Sequence, residues 1–446
     1  MPRAVVLLTN VFPFHKGEEF LENEIGHLAA GFDRVVIVAT QVPADASQTR
    51  TVPDNCTVLR AGGPRPTGLA AATTVARGAL HVLRRGPGGA PLHPGKVATE
   101  SLFEGRAQQS MRELAPQLDA LGLGSFEQVV VYSYWLHVTA RVGMLLADEL
   151  RRRGVAVGKL VSRAHRYDLY PEESPFGHVP ERGLLLGAYD EVHPVSDHGT
   201  ALLQRTWPRF APKVTTRRLG TRDPGAPVEC RQQPARVVSC SFVVPVKRVD
   251  RIPGILAGLE GGVAWTHYGS AGQGSAGQGS AGQGTGDLLD QVRTEAEQTL
   301  GPGHADLPGY VANAELADRY RELRPVAFLN VSESEGVPVS IMEVIALGIP
   351  VVATDVGGVG EIVIDGVNGY LLPKDFEDAQ AASALNALVT APPERYAEIC
   401  RAARARWEEA FNEAVVYPAF VQELTRPPLL PRPHQLTDRN HGRTAS

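Results

Sequence analysis

Cysteine is scarce in this chain of 446 residues, and the four present, Cys56, Cys230, Cys240 and Cys400, stand far apart. No CxxC pair or Cys/His ligand spacing occurs, which argues against a structural zinc site and a disulfide framework and fits a reducing cytoplasm. Long apolar runs are missing as well. The run at residues 4–8 is too short for a signal-peptide core, and no stretch approaches the length of a bilayer span. Basic excess is also lacking: a net charge of −5 argues against a dedicated nucleic-acid binder, whose phosphate contacts need a strong positive balance. Local basic groups such as Arg151, Arg152, Arg153 and Lys159 read first as a solvated helix end. They also admit an anionic acceptor or peripheral contact with the inner face of a membrane.

What is present is an apolar content of 43% spread over a length sufficient for two α/β domains. Short β-branched runs alternate with longer amphipathic stretches, the pattern of parallel sheets with crossover helices. In the first half, strands are expected at 4–9, 34–39, 129–133, 159–163 and 191–195, with helices at 18–30 and 139–153. Residues 62–95, rich in Gly, Pro and Arg, read as a surface excursion carrying one helix near 69–83. Three prolines and no periodicity mark 221–234 as a connection between domains. Strands then recur at 236–242, 264–268, 326–331, 351–354 and near Tyr370. Residues 269–284 hold three copies of Gly-Ser-Ala-Gly-Gln, a unit with almost no side chain able to pack, and a flexible loop is expected there. From Arg426 onward the Pro-, Arg- and His-rich composition suggests a disordered tail.

The segment that carries most chemistry is Ser332-Glu333-Ser334-Glu335-Gly336-Val337-Pro338-Val339-Ser340-Ile341-Met342-Glu343. It follows a buried-type strand and opens a helix running to about Leu347. Gly336 lets a ligand approach the backbone, and Pro338 suits a first helical turn, where its missing N–H is not needed. First-turn amides and the positive end of the helix dipole favour a diphosphate. Glu335 can reach a sugar, and Glu343, inside the helix, can accept hydrogen bonds from ribose hydroxyls. Taken alone, two glutamates eight residues apart are weak evidence, and they read first as a dipole-facing carboxylate and a solvated helix face.

Downstream stand Gly348-Ile349-Pro350-Val351-Val352-Ala353-Thr354, then Gly357-Gly358, Glu361-Ile362-Val363 and Gly366-Val367-Asn368-Gly369. With these, the sequence closely resembles glycosyltransferase family 4, and the match runs without a gap from about residue 328 to 372. The resemblance implies a GT-B fold: two tandem Rossmann-like domains facing each other across a cleft. It places an acceptor domain at 1–220, a linker at 221–235 and a nucleotide-sugar domain at 236–425. The repeat forms an insertion at 269–286, the last helix is free to return to the first domain, and the tail occupies 426–446. The family's E-x7-E element matches Glu335 and Glu343. Val243-Val244-Pro245-Val246-Lys247-Arg248-Val249-Asp250 is similar to its phosphate-binding segment, with Lys247 matching the lysine that neutralises the leaving diphosphate. Many members carry Arg five residues before that lysine; Phe242 stands there in this chain, and Arg248 is the candidate replacement. In the first domain, residues 162–170 resemble the segment whose histidine faces the donor sugar, here His165, with Asp168 orienting the loop. Residues 10–24 resemble the acceptor loop, its usual pair of glycines reduced to Gly17 with Lys16 in front of it. Tyr310 and Val311 fall in a loop similar to the one that touches the nucleotide base. Gly336, Val337 and Pro338 complete the nucleotide-sugar site.

The resemblance implies retention of anomeric configuration and transfer of a sugar from a UDP or GDP sugar to a saccharide, lipid-linked or small-molecule acceptor. No DxD-like acidic pair is placed to hold a metal, so none is expected, the helix dipole and Lys247 supplying the charge. Two other readings stay open at this point. One is a nucleotide-sugar epimerase or sugar phosphorylase of the same fold; the other is a non-catalytic sugar-nucleotide-binding scaffold.

Overall fold

The computed structural model describes residues 2–15, 17–43, 45–85, 93–271 and 285–428. The chain forms two compact units, Met1–Leu219 with Tyr417–Ser446, and Gly220–Val416. Among the described residues no helix is long and apolar enough to cross a membrane.

Unit 1 is built on six parallel strands: β1 (Arg3–Thr9), β2 (Arg34–Ala39), β3 (Cys56–Arg60), β4 (Gln128–Ser133), β5 (Val157–Ala164) and β6 (Glu191–Pro194). Their order is β3-β2-β1-β4-β5-β6. The helices are α1 (Phe20–Gly31), α2 (Gly68–Arg85), α3 (Pro94–Leu114), α4 (Val138–Arg152), α5 (Arg182–Ala188) and α6 (Asp197–Thr206). β1 and β4 are buried on both faces, which is why they read as unbroken Val/Leu runs and not as alternating ones. α2 and α3 pack tightly because glycine removes the side chain at each crossing. A Cβ on Gly78 would lie 1.7 Å from the Ser101 carbonyl oxygen, and one on Gly105 2.2 Å from that of Thr74.

Unit 2 repeats the plan with β7 (Arg236–Cys240), β8 (Ala264–Tyr268), β9 (Ala305–Gly309), β10 (Ala327–Asn330), β11 (Val351–Thr354) and β12 (Gly369–Leu372), in the order β12-β11-β10-β7-β8-β9. Its helices are α7 (Ile252–Ala257), α8 (Thr285–Leu300), α9 (Asn313–Leu323), α10 (Val339–Ala346), α11 (Asp378–Val389) and α12 (Pro393–Ala410). Each sheet therefore has the doubly wound order in which the chain leaves the first strand on one side and returns for the fourth on the other. The loops after those two strands diverge, leaving a crevice at the carboxyl edge. In unit 1 the crevice lies between the ends of β1 and β4, and in unit 2 between those of β7 and β10.

Several sequence expectations need correction. β3, β9 and most of α3 were not anticipated. Residues 221–235, read as a linker, pack within unit 2: the Thr221 amide donates to the Phe411 carbonyl at 2.8 Å, and Val228 is buried. The last helix, α13 (Glu413–Leu424), straddles the unit boundary, its residues from Tyr417 joining unit 1. Of the repeat segment, Ser270 and Ala271 pair with Val243, and α8 begins at Thr285; residues 272–284 lie outside the described residues, as do 429–446 of the tail.

α13 is held to the first sheet by buried charge. Arg163 on β5 is fully buried; it lies 3.3 Å from the Glu24 carboxylate, donates to the Tyr132 hydroxyl at 2.8 Å, and stacks 4.0 Å from the Phe420 ring centroid. Lys159, also on β5, pairs with Glu191 at 2.6 Å and donates to the Glu423 carbonyl at 3.0 Å. Removing one member of a buried pair leaves an uncompensated charge. Glu24→Ala is therefore expected to destabilise unit 1 by about 3–5 kcal/mol. Denaturant unfolding followed by tryptophan fluorescence measures this, and an unchanged midpoint would contradict it.

Candidate active site

The crevice of unit 2 gathers the residues that the sequence singled out. β7 runs into a turn at residues 241–248, and β10 runs into the loop 331–338 that leads to α10. The two loops are joined by the Glu333 amide donating to the Val246 carbonyl at 2.8 Å. Across them Lys247 Nζ meets Glu335 Oε1 at 2.6 Å. Glu335 also accepts from Asn330 Nδ2 at 3.3 Å. Burial pushes the Glu335 carboxyl up, but Lys247 together with hydrogen bonds from Ser332 and Asn330 more than offsets it, and the net shift is down. The group is a carboxylate at neutral pH.

The loop has little freedom. The Gly358 amide donates to the Gly336 carbonyl at 2.7 Å, and Gly357 has φ of 59°. A Cβ on Gly357 would fall 1.9 Å from the Glu335 carbonyl oxygen, so only glycine lets the β11–β12 connection back onto this loop. Pro338 proves to be the residue before the helix, with extended ψ of 117°, and α10 starts at Val339. The proline has no side chain able to cap, so the first-turn amides of α10 receive no side-chain cap. Gly336 and Val337 are half-buried beside them.

Glu343 lies on the second turn of α10 and accepts from Asn313 Nδ2, at the start of α9, at 2.7 Å. Burial raises its carboxyl to about 7, only partly countered by Asn313. Tyr310, 62% exposed, and half-buried Val311 follow β9, where the Gly309 carbonyl accepts from the Gly269 amide at 2.9 Å. Arg248 adopts φ of 49° and donates through Nη1 to the Lys374 carbonyl at 3.1 Å. Its Nε and Nη2 are buried without a hydrogen-bond partner, while Phe242 is exposed. Asn313, Asn330 and Ser332 were not singled out from sequence, because each acts through a contact that only the fold creates.

The first-unit candidates sit at the ends of β1, β4 and β5. His165 is buried, its ring 4.6 Å from that of Tyr134 and 4.3 Å from that of Trp135, and neither ring nitrogen has a hydrogen-bond partner. Burial, reinforced by Arg163, holds its pKa well below the usual histidine range, so the ring is neutral and offers one donor and one acceptor. Asp168 accepts from the His165 amide at 2.6 Å and the Leu136 amide at 2.7 Å, which ties the β4 and β5 loops together. Burial raises its carboxyl to about 6 against the opposing pull of Arg182 and those amides. Gly17 has φ of 105°, and its carbonyl accepts from Arg50 at 2.8 Å; Lys16 lies outside the described residues. Glu18, absent from the sequence reading as a site residue, organises this loop. It accepts from the Asn10, Val11 and Phe12 amides at 2.7–2.8 Å and from the Trp135 indole at 2.5 Å.

Among the described residues one group, Glu191, His193 and Glu423, brings potential metal-ligand atoms within 4.8 Å of one another. Lys159 pairs with Glu191 and Arg217 with Glu423 at this group.

Two outcomes follow from this geometry. Gly357→Ala is expected to displace the Glu335 loop and to destabilise unit 2 by about 1–3 kcal/mol, read by denaturant unfolding; wild-type stability would contradict it. Glu343, with its pKa raised on folding, retains a proton that the unfolded chain has released, so it erodes stability as pH rises from the ordinary glutamate range to about 7. Glu343→Gln should therefore raise the melting temperature more at pH 8 than at pH 4, and an equal effect at both would refute the shift.

A family model described as glycosyl transferases group 1 matches residues 279–406. The chain is 29% identical over 279 residues to the putative colanic acid biosynthesis glycosyltransferase WcaL of Escherichia coli, covering 60% of this chain and 65% of that protein. It is 26% identical over 351 residues to the amylovoran biosynthesis glycosyltransferase AmsK of Erwinia amylovora, covering 75% and 79%. Its fold is similar to that of Anabaena Alr3699/HepE in complex with UDP-glucose, with a TM-score of 0.62 at 16% identity over 94% of this chain and 98% of that one. Residues 279–406 thus match the group 1 glycosyl transferases, and the two parallel sheets give the chain a GT-B fold like that of HepE.

Proposed function

We propose that this chain is a retaining glycosyltransferase of family 4 type that moves a sugar from a nucleoside diphosphate sugar to a saccharide acceptor in polysaccharide assembly. The observation that carries the reading is the Lys247–Glu335 pair at the crevice of unit 2, beside the uncapped start of α10. A diphosphate at that helix start gains from the amides and the dipole. Lys247 would then turn from Glu335 to the phosphate and stabilise the charge that develops as the anomeric C–O bond breaks. Glu335, released, would hold hydroxyls of the sugar, and Glu343 with Asn313 would hold the ribose. Arg248, with two unpartnered donors, is assigned to the phosphates in place of the absent arginine at Phe242. Tyr310 and Val311 are assigned to the base. In unit 1, His165 is assigned to a sugar hydroxyl, which its unpartnered ring nitrogens support, and Gly17, Lys16 and Asp168 to the acceptor side. The relatives named for colanic acid and amylovoran biosynthesis favour a saccharide over a natural-product acceptor, and the UDP-glucose complex of HepE favours UDP among the donors.

Incubation of the full chain with radiolabelled UDP- and GDP-sugars tests this. Glu335→Ala should abolish transfer while UDP affinity changes little, and Lys247→Ala should lower kcat by about a hundredfold or more. Undiminished turnover in Glu335→Ala, or interconversion of the sugar nucleotide with no acceptor, would exclude the assignment.

A further inference from the structure

Helix α2 turns an apolar stripe away from the body of unit 1. Its inner face is fixed by the close crossings with α3, where Gly78 meets Ser101 and Thr74 meets Gly105. At roughly 100° per residue, Leu69, Ala72, Ala76, Leu80 and Leu83 fall within an arc of about 80° on the opposite side of the helix. Leu69 is 82%, Leu80 57% and Leu83 76% exposed, and the two alanines between them are exposed as well. The stripe runs about 21 Å along the helix. The crossings also make the pair antiparallel, so the start of α3 lies beside the end of α2. There Val97 and Phe176 add further exposed apolar side chains, and a Cβ on Gly95 would lie 2.5 Å from the Phe176 ring. A single exposed leucine is ordinary on a soluble protein; a row of three along one helix face marks a contact surface.

The charge around this stripe has one sign. Residues 55–99 contain no Asp or Glu, but they contain Arg60, Arg65, Arg77, Arg84, Arg85 and Lys96, in a chain whose net charge is −5. Arg77 is exposed beside the stripe, and with Arg65 and Arg112 it lines a recess of about 630 Å³ between α2 and α3. The one acid of that recess, Glu113, accepts from the Gly62 amide at 2.6 Å and from Gln109 at 3.2 Å. The other acids of α3 are buried and engaged inward: Glu100 lies 2.7 Å from His178, and Glu104 pairs with Arg141 at 2.8 Å. The basic run at 151–153, which the sequence offered for a membrane contact, is answered differently. Arg151 pairs with Asp148, Arg152 with Glu149, and Arg153 with Glu149 and Asp119.

We propose that the outer face of α2, with the arginine recess beside it, docks on the surface of a bilayer that contains anionic lipids. The leucines enter the boundary between headgroups and acyl chains, and the arginines meet lipid phosphates. The charge selects this occupant over a second copy of the chain, since a self-complementary contact would set two acid-free cationic segments face to face. The helix lies on the membrane and does not cross it: α2 has 18 residues, and among the described residues no helix is long and apolar enough to span a bilayer. The surface goes beyond the transferase reading and rests on α2 alone. Where both hold, unit 1 works at the membrane, which suits an acceptor that is itself lipid-linked.

The test sediments the full chain with sucrose-loaded vesicles, one set an equal mixture of phosphatidylglycerol and phosphatidylcholine and the other phosphatidylcholine alone. The chain should pellet with the anionic vesicles, bind the neutral ones far less, and be released in part by high salt. Arg65→Gln combined with Arg77→Gln should weaken binding to the anionic vesicles about thirtyfold, two surface cations being lost. Leu69→Ser, Leu80→Ser and Leu83→Ser together should weaken it at least about tenfold while leaving the melting temperature as in wild type, because exposed side chains contribute little to stability. Failure to bind anionic vesicles, or binding indifferent to the three leucines, would overturn the proposal. A lowered melting temperature in the leucine variant would also count against it, by showing that the stripe is packed. So would leucine-dependent self-association, read by sedimentation equilibrium, in a chain that ignores vesicles. Leucine-dependent vesicle binding by a chain that turns over no sugar nucleotide would sink the transferase reading and leave this surface standing.

Discussion

A lysine and a glutamate 88 positions apart in the chain meet at 2.6 Å, and the organisation of unit 2 follows from what is needed to bring them there. Lys247 ends the turn after the first strand of the sheet, and Glu335 begins the helix entry after the fourth. In the doubly wound order these two strands are neighbours, and their exits diverge to opposite faces. The ammonium and carboxylate are thus held across a crevice and not within one loop. Glycine at 357 and the backbone bond from Gly358 to Gly336 then press the second loop into place from behind.

The ion pair is also a store of charge suited to exchange. Glu335 is buried yet ionised because Lys247 is beside it, and an anionic ligand that draws Lys247 away leaves the carboxylate in need of donors, which sugar hydroxyls supply. Glu343 is poised differently: burial brings it to about 7, so its affinity for hydroxyl donors is sensitive to pH near neutrality. Unit 1 shows the same economy of form with a different content. Its crevice contains a neutral histidine with two unpartnered nitrogens and a glutamate that binds three backbone amides. The buried cations Arg163 and Lys159, in contrast, each face a buried carboxylate and serve to fasten α13.

How far the structure was legible from sequence depended on burial. Central strands such as β1, β4 and β10 announce themselves as apolar runs because both faces are covered. β3 and β9 lie at sheet edges, where half-exposed residues and, in β9, Pro308 weaken the pattern. α3 escaped notice because, apart from Phe103 and Leu114, it is buried through small or polar residues such as Ser101, Glu104, Gly105, Ala107 and Ser110, which draw no apolar stripe. The linker reading of 221–235 failed for a related reason. Its backbone bonds to residues remote in sequence, and no local periodicity records such pairing.

The sequence by itself determined two parallel α/β halves, because strand burial and turn placement are written in local residue order, while only its resemblance to a known family pointed to Glu335 and Glu343. Only the tertiary structure decided that Lys247 lies on Glu335, that Asn313 serves Glu343, and that Asp168 ties the loops after β4 and β5 together. Those partners are set by strand order and helix crossing, and distance along the chain carries no information about them.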